Sequence, residues 1–223
     1  MEFFDCLFGR RSIRNFTNES VSEDTIHDII NAAIHAPSAC NFAAWKFIVI
    51  TKGTPNREVL RNPLALRAPC GILVVYRNDL YVTGRVLKDY IQSASAAIQN
   101  MLLYITSIGL GAVWICGLPK ASKLKKAFNI PKNFDVIGYV ALGHPKVGNE
   151  SSKAAMIYHY GDEETFRAHK RRYSVDQVMC KDSFTIVDGD CTHTKYPNRM
   201  KLLKHRCREY ASQLKRKYKS TSK

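Results

Sequence analysis

The sequence predicts an α+β protein built on one mixed sheet. Three observations carry that expectation. Segments with helical apolar spacing and segments rich in β-branched residues follow one another along the chain. Residues 71–76, Gly-Ile-Leu-Val-Val-Tyr, are almost wholly apolar, as a buried central strand is. The helices are long and the crossovers between strands irregular, unlike a regular β-α repeat. At 223 residues the chain can bury one good core, which suits one domain or a domain with an extension. Its 45% hydrophobic and 24% charged residues are those of an ordinary globular protein.

Each element has a local reason. Residues 2–8 form a short helix that stops at Gly9. Ser22 has the chemistry of an N-cap, Glu23 and Asp24 suit the first turn, and Ile26, Ile29, Ile30 and Ala33 supply one apolar stripe. That helix ends before Pro37. Residues 46–51 are a β-branched strand, broken by Gly53-Thr54-Pro55-Asn56, and residues 57–67 are weakly helical. The longest helix spans 90–108. Apolar or small residues cover most of its circumference, including Ile91, Ala94, Ala97, Ile98, Met101, Leu102 and Ile105, so it belongs in a core or a subunit interface. Gly109 ends it. Residues 112–115 form a short strand, 122–128 a basic helix, and 136–142 another strand closed by Gly143-His144-Pro145.

Composition changes after Tyr160. Residues 184–187 followed by Asp188-Gly189 suggest a strand and turn. Met200, Leu203, Cys207, Tyr210, Leu214 and Tyr218 then make a single apolar stripe on a helix crowded with Lys and Arg. The expected division is a domain at 1–160 and a basic C-terminal extension at 161–223, with an amphipathic helix near 199–218. The net charge of +15 is uneven: residues 167–223 hold sixteen Lys and Arg against five Asp and Glu, and the preceding segment eighteen against fourteen. A polyanion partner or a solvated face would each account for this. No aromatic-interleaved RNA motif or zinc-finger spacing accompanies it, which favours the solvated face over nucleic acid.

No apolar run is long enough to span a bilayer, and the first residues lack a signal peptide's basic and apolar regions, so no membrane and a cytoplasmic location are expected. Seven cysteines without short paired spacings argue for reduced thiols. Cys180, Cys191, His193, His205 and Cys207 match no recognised zinc spacing, so no metal is expected.

Four segments carry the chemistry. Arg10-Arg11-Ser12-Ile13-Arg14-Asn15-Phe16 places three guanidinium groups and a hydroxyl in five positions, donors suited to a phosphate. In Pro37-Ser38-Ala39-Cys40-Asn41, Pro37 pre-sets a turn and Ser38 and Asn41 offer donors and acceptors; a local turn with backbone bonds would use the same groups. The third segment is Ala97-Ile98-Gln99-Asn100-Met101-Leu102-Leu103 running into Gly109-Leu110-Gly111-Ala112-Val113-Trp114-Ile115. It is no dinucleotide fingerprint, which needs a third glycine and a following helix. The fourth is Val140-Ala141-Leu142-Gly143-His144-Pro145.

In this order the four resemble the nitroreductase family of FMN-dependent oxidoreductases, over roughly residues 1–160. The resemblance implies a three-layer fold, a central, mostly antiparallel mixed sheet flanked by helices. It implies a homodimer with FMN at the interface and NADH or NADPH as reductant. Carried over residue by residue, Arg10, Ser12 and Arg14, with Arg11, would grip the FMN phosphate and ribityl chain. Pro37, Ser38, Ala39 and Asn41 of the second subunit would sit at the ring. Backbone at Ile115, Cys116 and Gly117 would approach the ring, and Lys153 would complete the phosphate site. The implied reaction is ping-pong: hydride passes from NAD(P)H through the flavin N5 to an electron-poor small-molecule acceptor such as a nitroaromatic, quinone or enone. No side chain is assigned as acid or base, since the cofactor supplies the chemistry.

The chain departs from that pattern at Ala43-Ala44, where relatives often carry Gln-Pro, and at Ser93, where a polar or acidic residue is common. The basic tail lies outside it. These departures keep two other readings open: a specialised flavin enzyme of the same fold, such as a dehalogenase or ring oxidase, and a polyanion-binding protein working through its tail.

Overall fold

In the computed structural model, the described residues are 1–79, 89–146 and 175–179. Met1–Asn149 makes one compact unit and Glu150–Lys223 a second. Within the second, the described element is the short helix Val175–Val178. The expected strand at 184–187, the helix near 199–218, the five Cys and His candidates between 180 and 207, and Lys153 lie outside the described residues.

The first unit opens with helix α1 (Phe3–Gly9). Helix α2 (Glu23–Ile34) starts where expected, because the Ser22 hydroxyl accepts the Thr25 amide at 3.2 Å. Strand β1 (Trp45–Thr51) follows. The weakly helical stretch resolves into a 3₁₀ turn (Arg57–Leu60) and helix α3 (Pro63–Arg67), which starts at Pro63 with the Asn62 side chain accepting the Leu64 amide at 3.0 Å. Then come β2 (Cys70–Arg77), α4 (Asp89–Ser107), β3 (Gly111–Ile115), α5 (Ala121–Ala127) and β4 (Phe134–Gly143). Gly109 has φ of +79°, the left-handed cap that frees β3 from α4.

The strands form one sheet in the order β1-β2-β4-β3, every neighbouring pair antiparallel. The parallel component is a bridge from Ser12 to Ala112. Strand β2 is central and buried along all but its last residue, as its apolar run requires.

Alternation splits the core into two layers. Ile72, Val74, Tyr76, Ala112, Val140 and Leu142 face α2 and α4. Leu73, Val75, Val113, Ile115, Tyr139 and Ala141 face the other way, against Leu60, Ala65, Ala68 and Leu124. The result is three layers: two long helices, the sheet, and the short helical pieces. Ser93, Ala94, Ala97, Ile98, Met101, Leu102 and Ile105 of α4 are buried, so the near-continuous apolar surface read from the sequence is a core surface.

Candidate functional site

The arginine segment is laid across the ends of two strands. Helix α1 stops at Gly9, and the Arg10 amide returns to the Cys6 carbonyl at 3.0 Å. Past that cap the chain is tied to β3: Ser12 bridges Ala112, and the Ile13 amide donates to the Ala112 carbonyl at 2.9 Å. It is then tied to the end of β4. Phe16 bridges Pro145, the Thr17 amide donates to the His144 carbonyl at 2.9 Å, and the Lys146 amide donates to the Asn15 carbonyl at 3.1 Å. A glycine makes the approach to β3 feasible: a Cβ on Gly111 would lie 2.8 Å from the Ile13 Cβ.

Ile13 and Phe16 pack into the sheet's second core layer. Ser12 and Arg14 come together, the Arg14 guanidinium donating to the Ser12 carbonyl at 3.1 Å. Arg10 is half-buried. Arg11 is exposed and donates to the Phe8 and Arg10 carbonyls, each at 2.9 Å, which caps α1. Ser12 and Arg14 are thus neighbours, and the side chains of Arg10, Ser12 and Arg14 have the donor chemistry that suits a phosphate.

The Pro37 loop is strained. Cys40, Asn41 and Ala43 have φ of 46°, 55° and 46°. Asparagine tolerates that region, but cysteine and alanine adopt it at a cost of about 1–2 kcal/mol each. Two serines hold the loop in place. The Ser38 hydroxyl accepts the Ala43 amide at 3.0 Å, the local turn the sequence allowed. The Ser93 hydroxyl, buried in α4, accepts the Ala39 amide at 3.1 Å and donates to the Asp89 carbonyl at 2.9 Å. Cys40, Asn41, Phe42 and Ala43 stay exposed on this scaffold. Strain of this kind persists only where surrounding contacts over-determine the backbone, as they do here.

At the far end of β3, Ile115 is buried while Cys116 and Gly117 are exposed. A Cβ on Gly117 would meet nothing within 4 Å, so the backbone there is open to a flat ligand. Partial desolvation of the Cys116 side chain raises its thiol above the ordinary value. From Ala112 to Cys116 the strand rises roughly 13 Å. One edge strand thus separates a phosphate-suited donor set from an open backbone platform.

Beside that platform lies a cleft of about 360 Å³, lined by Leu60, Arg61, Gly117, Leu118, Pro119, Lys120 and Lys123. The Asn62 side chain donates to the Gly117 carbonyl at 3.2 Å and ties the two walls together. Arg57 fixes the base of one wall. It is 6% exposed, and its guanidinium donates to the Ala65, Leu66 and Ala68 carbonyls at the end of α3. Sequence reasoning passed over both Arg57 and Arg61. Among the described residues no group of His, Cys, Asp and Glu could hold a metal, and no helix is long and apolar enough to cross a membrane.

A family model for the nitroreductase family matches residues 7–57 and 51–144. An Archaeoglobus fulgidus protein, provisionally named NADH dehydrogenase/NAD(P)H nitroreductase, is 31% identical over 188 residues, covering 79% of this chain and 96% of its own. The chain belongs to the nitroreductase family. Among solved structures, a provisionally assigned nitroreductase in complex with FMN from Desulfovibrio desulfuricans is 27% identical, with a TM-score of 0.66, covering 83% of this chain and 99% of its own. A nitroreductase family protein from Clostridium novyi is 28% identical with a TM-score of 0.59, covering 66% of this chain and 87% of its own. The family match covers the arginine segment, the Pro37 loop and the Cys116-Gly117 platform.

Proposed function

We propose that this nitroreductase-family chain is an FMN-dependent NAD(P)H oxidoreductase that reduces an electron-poor small molecule. The observation that carries this is the arrangement along β3, with phosphate donors at its start and an open backbone platform at its end. The FMN-bound relative and the NAD(P)H-using names of other relatives support it. Arg10, Ser12 and Arg14 hold the phosphate, and exposed backbone at Cys116 and Gly117 faces the ring. When bound, FMN supplies a two-electron carrier that takes hydride at N5 and returns it to an acceptor. The chain's own work is positioning, charge neutralisation and shielding of the ring from water.

The same geometry supports a homodimer. Trp45 pairs with Tyr76 and Tyr76 with Asp135, so the Pro37 loop enters the sheet beside the start of β4. Ser12 lies at the other edge, where Gly111 pairs with Gly143 at the end of β4. Three strand spacings across and eight residues along β4 separate them by on the order of 30 Å. One mononucleotide does not reach both sites of one subunit, whereas the loop of a second copy could complete the site. Phe3, Phe4 and Phe8 are 63%, 66% and 65% exposed, which leaves α1 an apolar surface for such a contact.

The test is steady-state turnover of purified protein with NADH or NADPH and a panel of nitroaromatics and quinones. Turnover that requires bound FMN supports the reading. Negligible rates with a bound, reducible flavin would favour a specialised enzyme of the same fold.

A further inference from the structure

The cleft beside Gly117 holds more positive charge than a neutral acceptor needs. Arg61 enters from one wall, and Lys120 and Lys123 from the other. Among the described residues none of the three has an acidic partner within salt-bridge distance, whereas Lys125 of the same helix is paired with Asp135 at 3.1 Å. Arg61 is also held at φ of +48°. A non-glycine residue kept in that region marks a position that its surroundings determine. Here Asn62 is pinned to Gly117 and Arg57 to the end of α3. Leu60, Leu118 and Pro119 make the apolar part of the lining. The cleft's volume is at the lower end of small-molecule sites. These cations are also separate from the phosphate donors, which lie at the opposite end of β3.

Resting on the function proposed above, we propose that this cleft is an anion-selective acceptor site. It takes an electron-poor aromatic or quinonoid molecule carrying a carboxylate. Leu118 and Pro119 receive the ring over the buried Leu60, and Arg61, Lys120 and Lys123 receive the charge. Aromatic body and carboxylate together match a lining that is apolar on some sides and cationic on others.

The test compares 4-nitrobenzoate with the neutral 4-nitrobenzyl alcohol in the FMN-loaded enzyme. In each case NAD(P)H and one proton reduce the nitro group to nitroso with release of water. The expected result is a higher kcat/KM for the benzoate at low ionic strength, with the advantage shrinking as salt rises. In the double variant Lys120→Gln/Lys123→Gln, kcat/KM for the benzoate should fall about three- to tenfold while that for the alcohol holds. Calorimetric titration with benzoate, which cannot be reduced, reads the cleft without turnover, and the variant should bind it more weakly by the same factor.

Equal efficiencies for the two acceptors in the parent enzyme would overturn the proposal. So would loss of FMN from the variant, which would make the lysines part of the cofactor site, or a change in the NADPH KM alone, which would make them a reductant site. If neither acceptor is reduced, the reading of a nitroaromatic-reducing enzyme fails; the benzoate titration still decides the cleft, and absence of binding overturns the proposal.

Discussion

Ser93→Ala removes one oxygen atom at the junction between α4 and the strained loop. In the parent chain that oxygen accepts the Ala39 amide at 3.1 Å and donates to the Asp89 carbonyl at 2.9 Å. The bond to Ala39 contributes about 1 kcal/mol net, and leaving a half-buried amide unpaired brings the loss to about 1–2 kcal/mol. For a chain of this size that lowers Tm by about 2–8 °C. The larger consequence is for binding. The left-handed conformations of Cys40 and Ala43 together store about 2–4 kcal/mol, more than the lost bond contributes, so the released loop relaxes. FMN must then restore the binding shape, and its affinity should fall about tenfold. The assay is FMN titration followed by flavin fluorescence, beside thermal melting of the FMN-free protein. Ala43→Gly is the control: relief of the left-handed cost raises Tm, and adding it to Ser93→Ala restores stability without restoring affinity. An unchanged FMN affinity in Ser93→Ala would refute the reasoning that the loop is a pre-shaped part of the site.

Three further outcomes are expected. Gly111→Val drives a side chain into Ile13, lifts the arginine segment from β3, destabilises the fold by about 1–3 kcal/mol and weakens FMN binding in the same fluorescence titration. Arg14→Ala removes a charged donor from the proposed phosphate site together with its bond to the Ser12 carbonyl, and the titration should show FMN affinity lowered about ten- to a hundredfold, beside a fall in Tm of about 2–4 °C. Burial pushes the Cys70 thiol from 9.0 up to about 11, so the native chain holds that proton more tightly than the unfolded chain. Stability from this group is full below pH 9 and is lost as pH rises toward 11. Urea unfolding across that window should show a decline of about 2–3 kcal/mol that Cys70→Ala reduces, with buried Tyr139, also raised, supplying the remainder of the alkaline slope.

The fold was legible where one local signal decided it. The apolar run at 71–76 reads as a central strand, and Ser22 with two following acids as a helix start; both are seen. The split of 57–67 into a 3₁₀ turn and a helix was not visible, since Asn62-Pro63 starts a new helix within what reads as one weak segment. In the arginine segment the donor chemistry was plain, but the division of labour was not. Arg11 turns back to cap α1 because the free carbonyls at the helix end lie nearest to it, a competition that composition does not show. The strain at Cys40 and Ala43 left no trace, because neither residue type favours the left-handed region. Arg57 and Arg61 were missed for a related reason. Arg57's partners are backbone carbonyls, and no spacing rule connects Arg61 to Lys120 and Lys123 across the cleft.

The central claim is that Arg10, Ser12 and Arg14, set against the start of β3, hold the phosphate of an FMN whose ring faces Cys116 and Gly117. The most direct measurement is the visible absorption spectrum of the purified protein, before and after incubation with FMN and removal of the excess. The expected result is the yellow flavin bands, bound at one FMN per chain and released as FMN on denaturation. A colourless protein that takes up no added FMN would contradict it.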